Sequence, residues 1–216
     1  CMLEAIGNVL GDVETPEIKN AWEEAMVNFS NIIIETESKR YDDTLVKEGG
    51  WKGYKNFTIT QKENESALIT SLYLEPADGK PVATYKAGQY ISIMLDLPEE
   101  GIVFRNYSLS YSPNRKYYRI SVKREENGLV SNYLHNTLCQ GDKIKINPPY
   151  GCFSLKETGK PAVLISGGVG ITPMMSILQN AADRKLTREI CFIHGTQDNS
   201  THAFKEDVVT LASEFK

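Results

Sequence analysis

A chain of 216 residues with a net charge of −4 has room for one large domain or two small ones, and it lacks the clustered Lys and Arg that phosphate-backbone binding needs, which argues against nucleic acid as a partner. No apolar run approaches the ~18 residues of a membrane span, and the start, Cys1-Met2-Leu3-Glu4, lacks the basic-then-apolar pattern of a secretion signal. The four cysteines, Cys1, Cys139, Cys152 and Cys191, sit at neither C-x-x-C nor metal-ligand spacing, so they read as small buried hydrophobes in a reducing, cytoplasmic setting and no metal site is expected.

Residues 1 to about 45 read as helix. Leu3, Ile6 and Leu10 fall on one face, and Gly11 is a stop. Thr15-Pro16-Glu17 starts a second helix, with Thr15 as N-cap and Pro16 at the first helical position. Ile18, Trp22, Met26, Phe29 and Ile33 then recur at helical spacing. Two helices alone bury two such stripes poorly, so this segment reads as a piece of a larger helical domain or as a hairpin docked on the rest. At Gly49-Gly50-Trp51 the texture changes. Strands are predicted at 56–61, 67–74, 90–95, 107–110, 117–123 and 143–147, with a short helix over 130–137 capped by Ser131. Many short strands without intervening helices indicate an antiparallel barrel or sandwich. From Pro161 onward the pattern is strand (162–166), glycine turn (167–172), helix (173–182), strand (189–194) and helix (203–215), the signature of a parallel sheet with crossovers.

Three motifs offer chemistry. Ser166-Gly167-Gly168-Val169-Gly170-Ile171-Thr172-Pro173 follows a strand and opens a helix. Its glycines let backbone approach a ligand, and helix-start N–H groups attract phosphate. It is neither a P-loop nor the usual G-x-G-x-x-G, and alone it is equally a plain tight turn. Arg105-Asn106-Tyr107-Ser108, read at the head of a strand, offers a guanidinium for a diphosphate, a ring to stack on a flat heterocycle and a hydroxyl. Alone it reads as a surface charge beside a packed strand residue. Lys123-Arg124-Glu125 followed by Gly128-Leu129-Val130-Ser131 is a second candidate anion nest, or merely a capped helix after a charge cluster.

In combination, and with Gly88-Gln89-Tyr90 before them, these motifs resemble the ferredoxin–NADP reductase-like flavoproteins over residues 52 to 216. The resemblance implies FAD contacts at Tyr90, Arg105, Asn106, Tyr107, Ser108, Lys123, Gly128, Val130 and Ser131. It implies nicotinamide-nucleotide contacts at Gly167, Gly168, Val169, Gly170, Ile171 and Thr172. Upstream, Ala21-Trp22, Glu35-Thr36-Glu37, Gly49-Gly50-Trp51-Lys52-Gly53 and Glu65-Ser66-Ala67 resemble the globin-to-reductase junction of flavohaemoglobins. That resemblance implies that Glu37 matches the acid that hydrogen-bonds the proximal haem histidine.

The implied architecture is a multidomain α+β chain. The last globin helices occupy residues 1–45, an antiparallel FAD-binding β-barrel 46–158, and the first part of a Rossmann-like α/β nicotinamide-binding domain 159–216. The implied activity is that of a nitric oxide dioxygenase, a monomer acting on NADH (or NADPH), O2 and NO, in which NADH reduces FAD and FAD passes electrons to haem. The alternative is a globin-free NAD(P)H-dependent flavin or ferredoxin-type reductase. NADH is favoured over NADPH because His194-Gly195-Thr196-Gln197-Asp198 offers no Arg for a 2′-phosphate. The histidines are His135, His194 and His202, so the resemblance puts the haem ligand upstream of Cys1 and implies a chain truncated at both ends that binds no haem b itself.

Overall fold

The computed structural model describes residues 2–13 and 15–214, apart from the side chains of Asp12, Glu37, Lys39, Arg40, Tyr41, Asp43 and Glu214. The chain divides into two compact units, Cys1–Val46 and Lys47–Lys216.

The first unit is helical. Helix α1 (Met2–Leu10) passes into a 3₁₀ turn at Gly11, whose φ of +52° is readily adopted by glycine. Helix α2 (Pro16–Leu45) starts as its sequence requires: Thr15 is extended and its hydroxyl accepts the Ile18 N–H at 3.4 Å, while Pro16 opens the first turn. Trp22, Phe29 and Ile33 on the apolar stripe are 44%, 54% and 41% exposed. Two helices do not make a globin fold, which packs eight around its haem pocket; the described part of this unit is two helices joined by a 3₁₀ turn.

The second unit opens with six strands: β1 (Lys55–Asn64), β2 (Ile69–Pro76), β3 (Tyr90–Leu97), β4 (Gly101–Ser108), β5 (Tyr118–Lys123) and β6 (Lys143–Ile146). They pair antiparallel in the order β4-β3-β6-β1-β2-β5. The Ser110 N–H donates to Arg119 O at 2.8 Å and Leu109 bridges Ile120, so the end of β4 closes on β5. The interior is filled by residues of five of these strands: Phe57 and Ile59, Leu72 and Leu74, Ile91 and Ile93, Tyr118 and Ile120, and Ile146, all at most 1% exposed. Burying each such side chain contributes about 1.5–3 kcal/mol. Between β5 and β6 lies α3 (Leu129–Asn132), continued by a π-helical turn, Tyr133–Thr137. The Lys62 ammonium donates to the carbonyls of Leu134, His135 and Leu138 at 3.0, 2.9 and 2.6 Å, satisfying acceptors that the irregular helix end leaves open.

The remainder is α/β. Strands β7 (Ala162–Gly167) and β8 (Ile190–Gly195) pair in parallel, joined by α4 (Ile171–Asp183), and α5 (Lys205–Glu214) follows. Ile171, Met175 and Leu178 form the buried stripe of α4 and pack with Leu164, Phe204 and Leu211. Among the contacts that join this layer to the barrel are Ala67 N–H to Ser200 O at 2.9 Å, Ser176 hydroxyl to Tyr111 O at 2.6 Å, and the Arg119 guanidinium 5.0 Å from the Phe204 ring.

The structure corrects three readings. The strand predicted at 107–110 is β4, Gly101–Ser108, so Arg105–Ser108 ends a strand rather than heading one. Gly101 at φ +68° turns the chain back from β3 earlier than the sequence pattern shows. Ser131 lies inside α3, whose N-cap is Gly128. Cys139, Cys152 and Cys191 are exposed free thiols rather than buried ones.

Candidate functional site

Barrel closure carries the end of β4 to β5, and the turn into α3 folds over the same place. Between them lies a cavity of about 480 Å³. Its walls are Arg105, Asn106, Tyr107 and Ser108 from β4, Ser121 and Lys123 from β5, and Glu125 and Gly128 to Ser131 from the turn and α3. Val169, Gly170, Thr172 and Pro173 close it from the α/β side. Burial pushes the Tyr107 hydroxyl up to about 12, against the opposing pull of Arg105. At neutral pH it is therefore an uncharged donor and acceptor. The Lys123 ammonium is paired with Glu125 at 2.8 Å.

The turn is built by its own hydrogen bonds. The Ser131 hydroxyl donates to Gly128 O at 3.1 Å and accepts the Glu125 N–H at 3.2 Å, while the Asn132 amide donates to the Glu125 and Gly128 carbonyls, each at 2.9 Å. Gly128 is needed because a Cβ there would run into the Ser131 hydroxyl and the Glu125 Cβ. With its hydroxyl hydrogen committed, Ser131 offers a ligand chiefly its backbone N–H, one of the first-turn donors without an intrahelical partner.

A second cavity, of about 380 Å³, adjoins the first at Lys123 and Val169, which line both. It opens at the C-terminal ends of the two parallel strands, where α/β sheets bind ligands. Gly168, Gly195, Thr196, Gln197 and Thr201 line it from the α/β layer, and Leu68 and Ile69 from the barrel. Gly168 has φ +50°, and a Cβ there would meet nothing within 4 Å. The Asp198 carboxylate accepts from the Ser200 hydroxyl and the Thr201 N–H at 2.7 and 3.0 Å; these bonds hold its pKa below the usual range and tie down the loop after β8. Beside it the Ser166 hydroxyl lies 2.9 Å from His194 Nδ1; burial, aided by His202, lowers the His194 pKa.

Most of the sequence-predicted contacts meet at these two cavities. Arg105, Asn106, Tyr107, Ser108, Gly128, Val130 and Ser131 line the first and Gly168 the second, but Gly170 and Thr172, read as nicotinamide contacts, line the first. Tyr90, Gly167 and Ile171 line neither. The Tyr90 ring packs on Gly151, Gly167 is the last residue of β7, and Ile171 is fully buried. Glu37 lies within α2, and its side chain is outside the described residues. Sequence reasoning missed Ser121, Leu68, Ile69 and Thr201. Tertiary closure brings Ser121, Leu68 and Ile69 to the site, whereas Thr201 is carried by the loop after β8. Among the described residues no cluster of His, Cys, Asp or Glu is arranged to hold a metal, and no helix is long and apolar enough to cross a membrane.

Comparison with known proteins gives the class. Residues 56–155 match the oxidoreductase FAD-binding domain family and residues 164–216 the oxidoreductase NAD-binding domain family. The chain thus carries the FAD- and NAD-binding domains of an NAD(P)H-dependent oxidoreductase. The flavohaemoprotein of Bacillus subtilis is 46% identical over 213 residues, covering 98% of this chain and 53% of that one. The crystallised flavohaem-like FAD/NAD-binding domain of the nitric oxide dioxygenase of Vibrio cholerae is 40% identical, with a TM-score of 0.71 over 74% of this chain and 70% of that chain. The flavohaemoglobin of Malassezia yamatoensis, solved with bound FAD and haem, superposes with a TM-score of 0.85 at 26% identity, over 99% of this chain and 55% of that one. The chain belongs to the flavohaemoprotein family, and it spans about half the length of the curated relatives it matches.

Proposed function

We propose that this chain is the reductase part of a flavohaemoprotein nitric oxide dioxygenase. In it FAD occupies the first cavity and NADH the second, and electrons pass on to a haem that converts NO and O2 to nitrate. The observation that carries the reading is the junction of the two cavities at Lys123 and Val169, which sets a hydride donor beside its acceptor. FAD, when bound, supplies the conversion of a two-electron hydride into single electrons. The residues of the first cavity fit that group. Arg105 brings positive charge to a diphosphate, the α3 turn brings backbone N–H groups, and Tyr107 brings a ring and a neutral hydroxyl. Lys123, facing both cavities, stabilises negative charge arriving with the hydride. No side chain is asked to act as acid or base in the hydride step. The glycine turn leaves open space at Gly168 for a nucleotide to approach backbone.

Within this reading the domain limits are 1–45, 46–158 and 159–216. We assign α1 and α2 to the end of a globin domain, supported by their exposed apolar stripe and by the near-complete superposition on the Malassezia flavohaemoglobin. Glu37 is then the acid behind the haem ligand. The helical unit contains no histidine to ligate haem iron. Exposed free thiols at Cys139, Cys152 and Cys191 suit the reducing cytoplasm. The lack of Arg in the loop Thr196–Thr201 supports NADH over NADPH. The test is spectroscopic: load the chain with FAD, add NADH without oxygen, and follow the flavin absorbance. Bleaching at one equivalent of NADH is expected. FAD that binds but is bleached only by dithionite overturns the assignment of the second cavity.

A further inference from the structure

Behind the first cavity, the barrel wall holds a chain of buried polar groups that the proposed electron transfer does not use. It begins at Glu65, in the tight turn between β1 and β2. There the N–H groups of Glu65 and Ser66 both donate to Ile69 O, at 2.9 and 3.2 Å, and the carboxylate folds back against the sheet. The Ser71 hydroxyl donates to Glu65 Oε1. Ser71 stands opposite Ser121 in the β2–β5 register, and their hydroxyl oxygens are 2.7 Å apart. Ser121 is in turn 2.7 Å from the Ser110 hydroxyl, which accepts Arg119 Nε–H at 3.1 Å and lies 3.2 Å from Arg119 O, so the one Ser110 hydrogen goes to Ser121 or to that carbonyl. Ser71 and Ser110 are fully buried and Ser121 nearly so, yet Ser121 lines the first cavity.

Each hydroxyl has one hydrogen to give. With Glu65 ionised, Ser71 spends its hydrogen on the carboxylate, so Ser121 supplies the hydrogen of the Ser71–Ser121 bond and shows the cavity only lone pairs. With Glu65 protonated, the acid donates to Ser71, Ser71 turns to donate to Ser121, and, with Ser110 keeping its hydrogen on Ser121, the Ser121 hydrogen turns to the cavity. We infer that Glu65 is a positioning residue of the flavin cavity: its protonation reverses the Ser71–Ser121 chain and converts Ser121 from an acceptor into a donor toward the bound flavin. This inference rests on the assignment of that cavity to FAD.

The proton count closes. A hydride entering the cavity brings one negative charge. One proton from solvent adds to a Glu65 carboxylate oxygen, and two hydroxyl hydrogens rotate; no bond between heavy atoms forms or breaks. The groups facing Glu65 prepare it for this. Burial is the largest influence and raises its pKa, and Glu63 on β1 and Asp207 on α5 also raise it. The Ser71 hydrogen bond and the Arg119 guanidinium, 4.0 Å away, oppose them. The Glu65 side chain keeps 9% exposure, enough to exchange a proton with water.

The experiment is reduced-minus-oxidised infrared difference spectroscopy on flavin-loaded protein, comparing wild type, Glu65→Gln and Ser121→Ala, with bound flavin measured in each. In wild type a protonated-carboxyl band appears on reduction; in Glu65→Gln it is lost. In Ser121→Ala, which keeps the acid and its Ser71 and Arg119 partners but cuts the path to the cavity, the band falls at least twofold. The same band in wild type and Glu65→Gln overturns the inference. If Glu65→Gln fails to hold flavin, an undiminished band in Ser121→Ala overturns it instead. Wild-type protein that binds no flavin overturns the cavity assignment itself, and this inference with it.

Discussion

The first cavity is walled by side chains on strands of a closed sheet, whereas much of the second is walled by the turns and loop at the ends of two parallel strands. On the barrel side, Arg105, Tyr107, Ser121 and Lys123 project from β4 and β5, and the inner face of β5 is packed in the barrel core through Tyr118, Ile120 and Val122. On the α/β side, Gly168 and Gly195 contribute only main chain, and the sheet beneath them exposes Val163 at 58%, Ile165 at 63% and Ile193 at 49%. Recognition in the first cavity therefore resides in removable functional groups. In the second it depends on the path of the backbone, which substitution can block but not easily delete.

Substitutions of decreasing severity break or sharpen that contrast. The largest effect is expected for Phe57→Ala, which empties a fully buried position in the barrel core and should cost about 3–5 kcal/mol in denaturant unfolding, with flavin lost as the wall loosens. If stability is kept, the barrel is not the rigid partner in this comparison. Next, Arg105→Ala should weaken FAD binding roughly 10- to 100-fold, against about fivefold for Ser108→Ala. A charge-assisted contact is worth about 1.5–3 kcal/mol and a neutral one about 1. Equal dissociation constants for the two variants would remove Arg105 as a diphosphate ligand.

Two glycines then separate the cavities. Gly168→Val forces a β-branched residue to φ +50°, a strain of roughly 1–2 kcal/mol or more, and fills open space in the second cavity. Flavin content should hold while reduction by NADH slows at least tenfold and reduction by dithionite stays normal. Gly170→Val carries no such strain, since φ there is −61°, but it intrudes on the first cavity and should lower flavin occupancy instead. Identical behaviour of the two would show that the turn serves one cavity only.

The smallest effect expected is on pH dependence. His135 bonds Val122 O through Nε2 at 2.7 Å, and burial lowers its pKa. The folded chain then binds that proton less readily than the unfolded one. Stability is full above the ordinary histidine range and falls as pH drops through it. His135→Asn should flatten the fall of melting temperature between pH 8 and pH 6; an unchanged slope assigns the fall to other groups.

What could be read in the sequence followed the physics of locality. Strands with alternating burial, such as β1 at Phe57 and Ile59, announce themselves, as do motifs whose members are adjacent, such as Arg105–Ser108. Ile102-Val103-Phe104 was not legible as strand, because three successive apolar residues carry no alternation and Ile102 and Phe104 lie exposed. Ser131 looks like a cap because capping residues and first-turn residues share their chemistry. Here Gly128 takes the cap position, and the serine reaches back to its carbonyl. Ser121 and Glu65 were invisible as site residues for a different reason. One faces the cavity only because β5 closes against β4, and the other acts only through a register that pairs Ser71 with Ser121.

The aromatic packing at the base of the barrel has an optical consequence. Of the two tryptophans in the chain, Trp51 sits 5.5 Å from Phe57 and 6.5 Å from Tyr118, against the barrel core, whereas Trp22 stands exposed on α2. Trp51 should emit at shorter wavelength than Trp22 and move to the red only when the barrel opens. With Trp22 replaced by Phe, intrinsic fluorescence becomes a single-site gauge of barrel integrity, independent of flavin colour and of the helices.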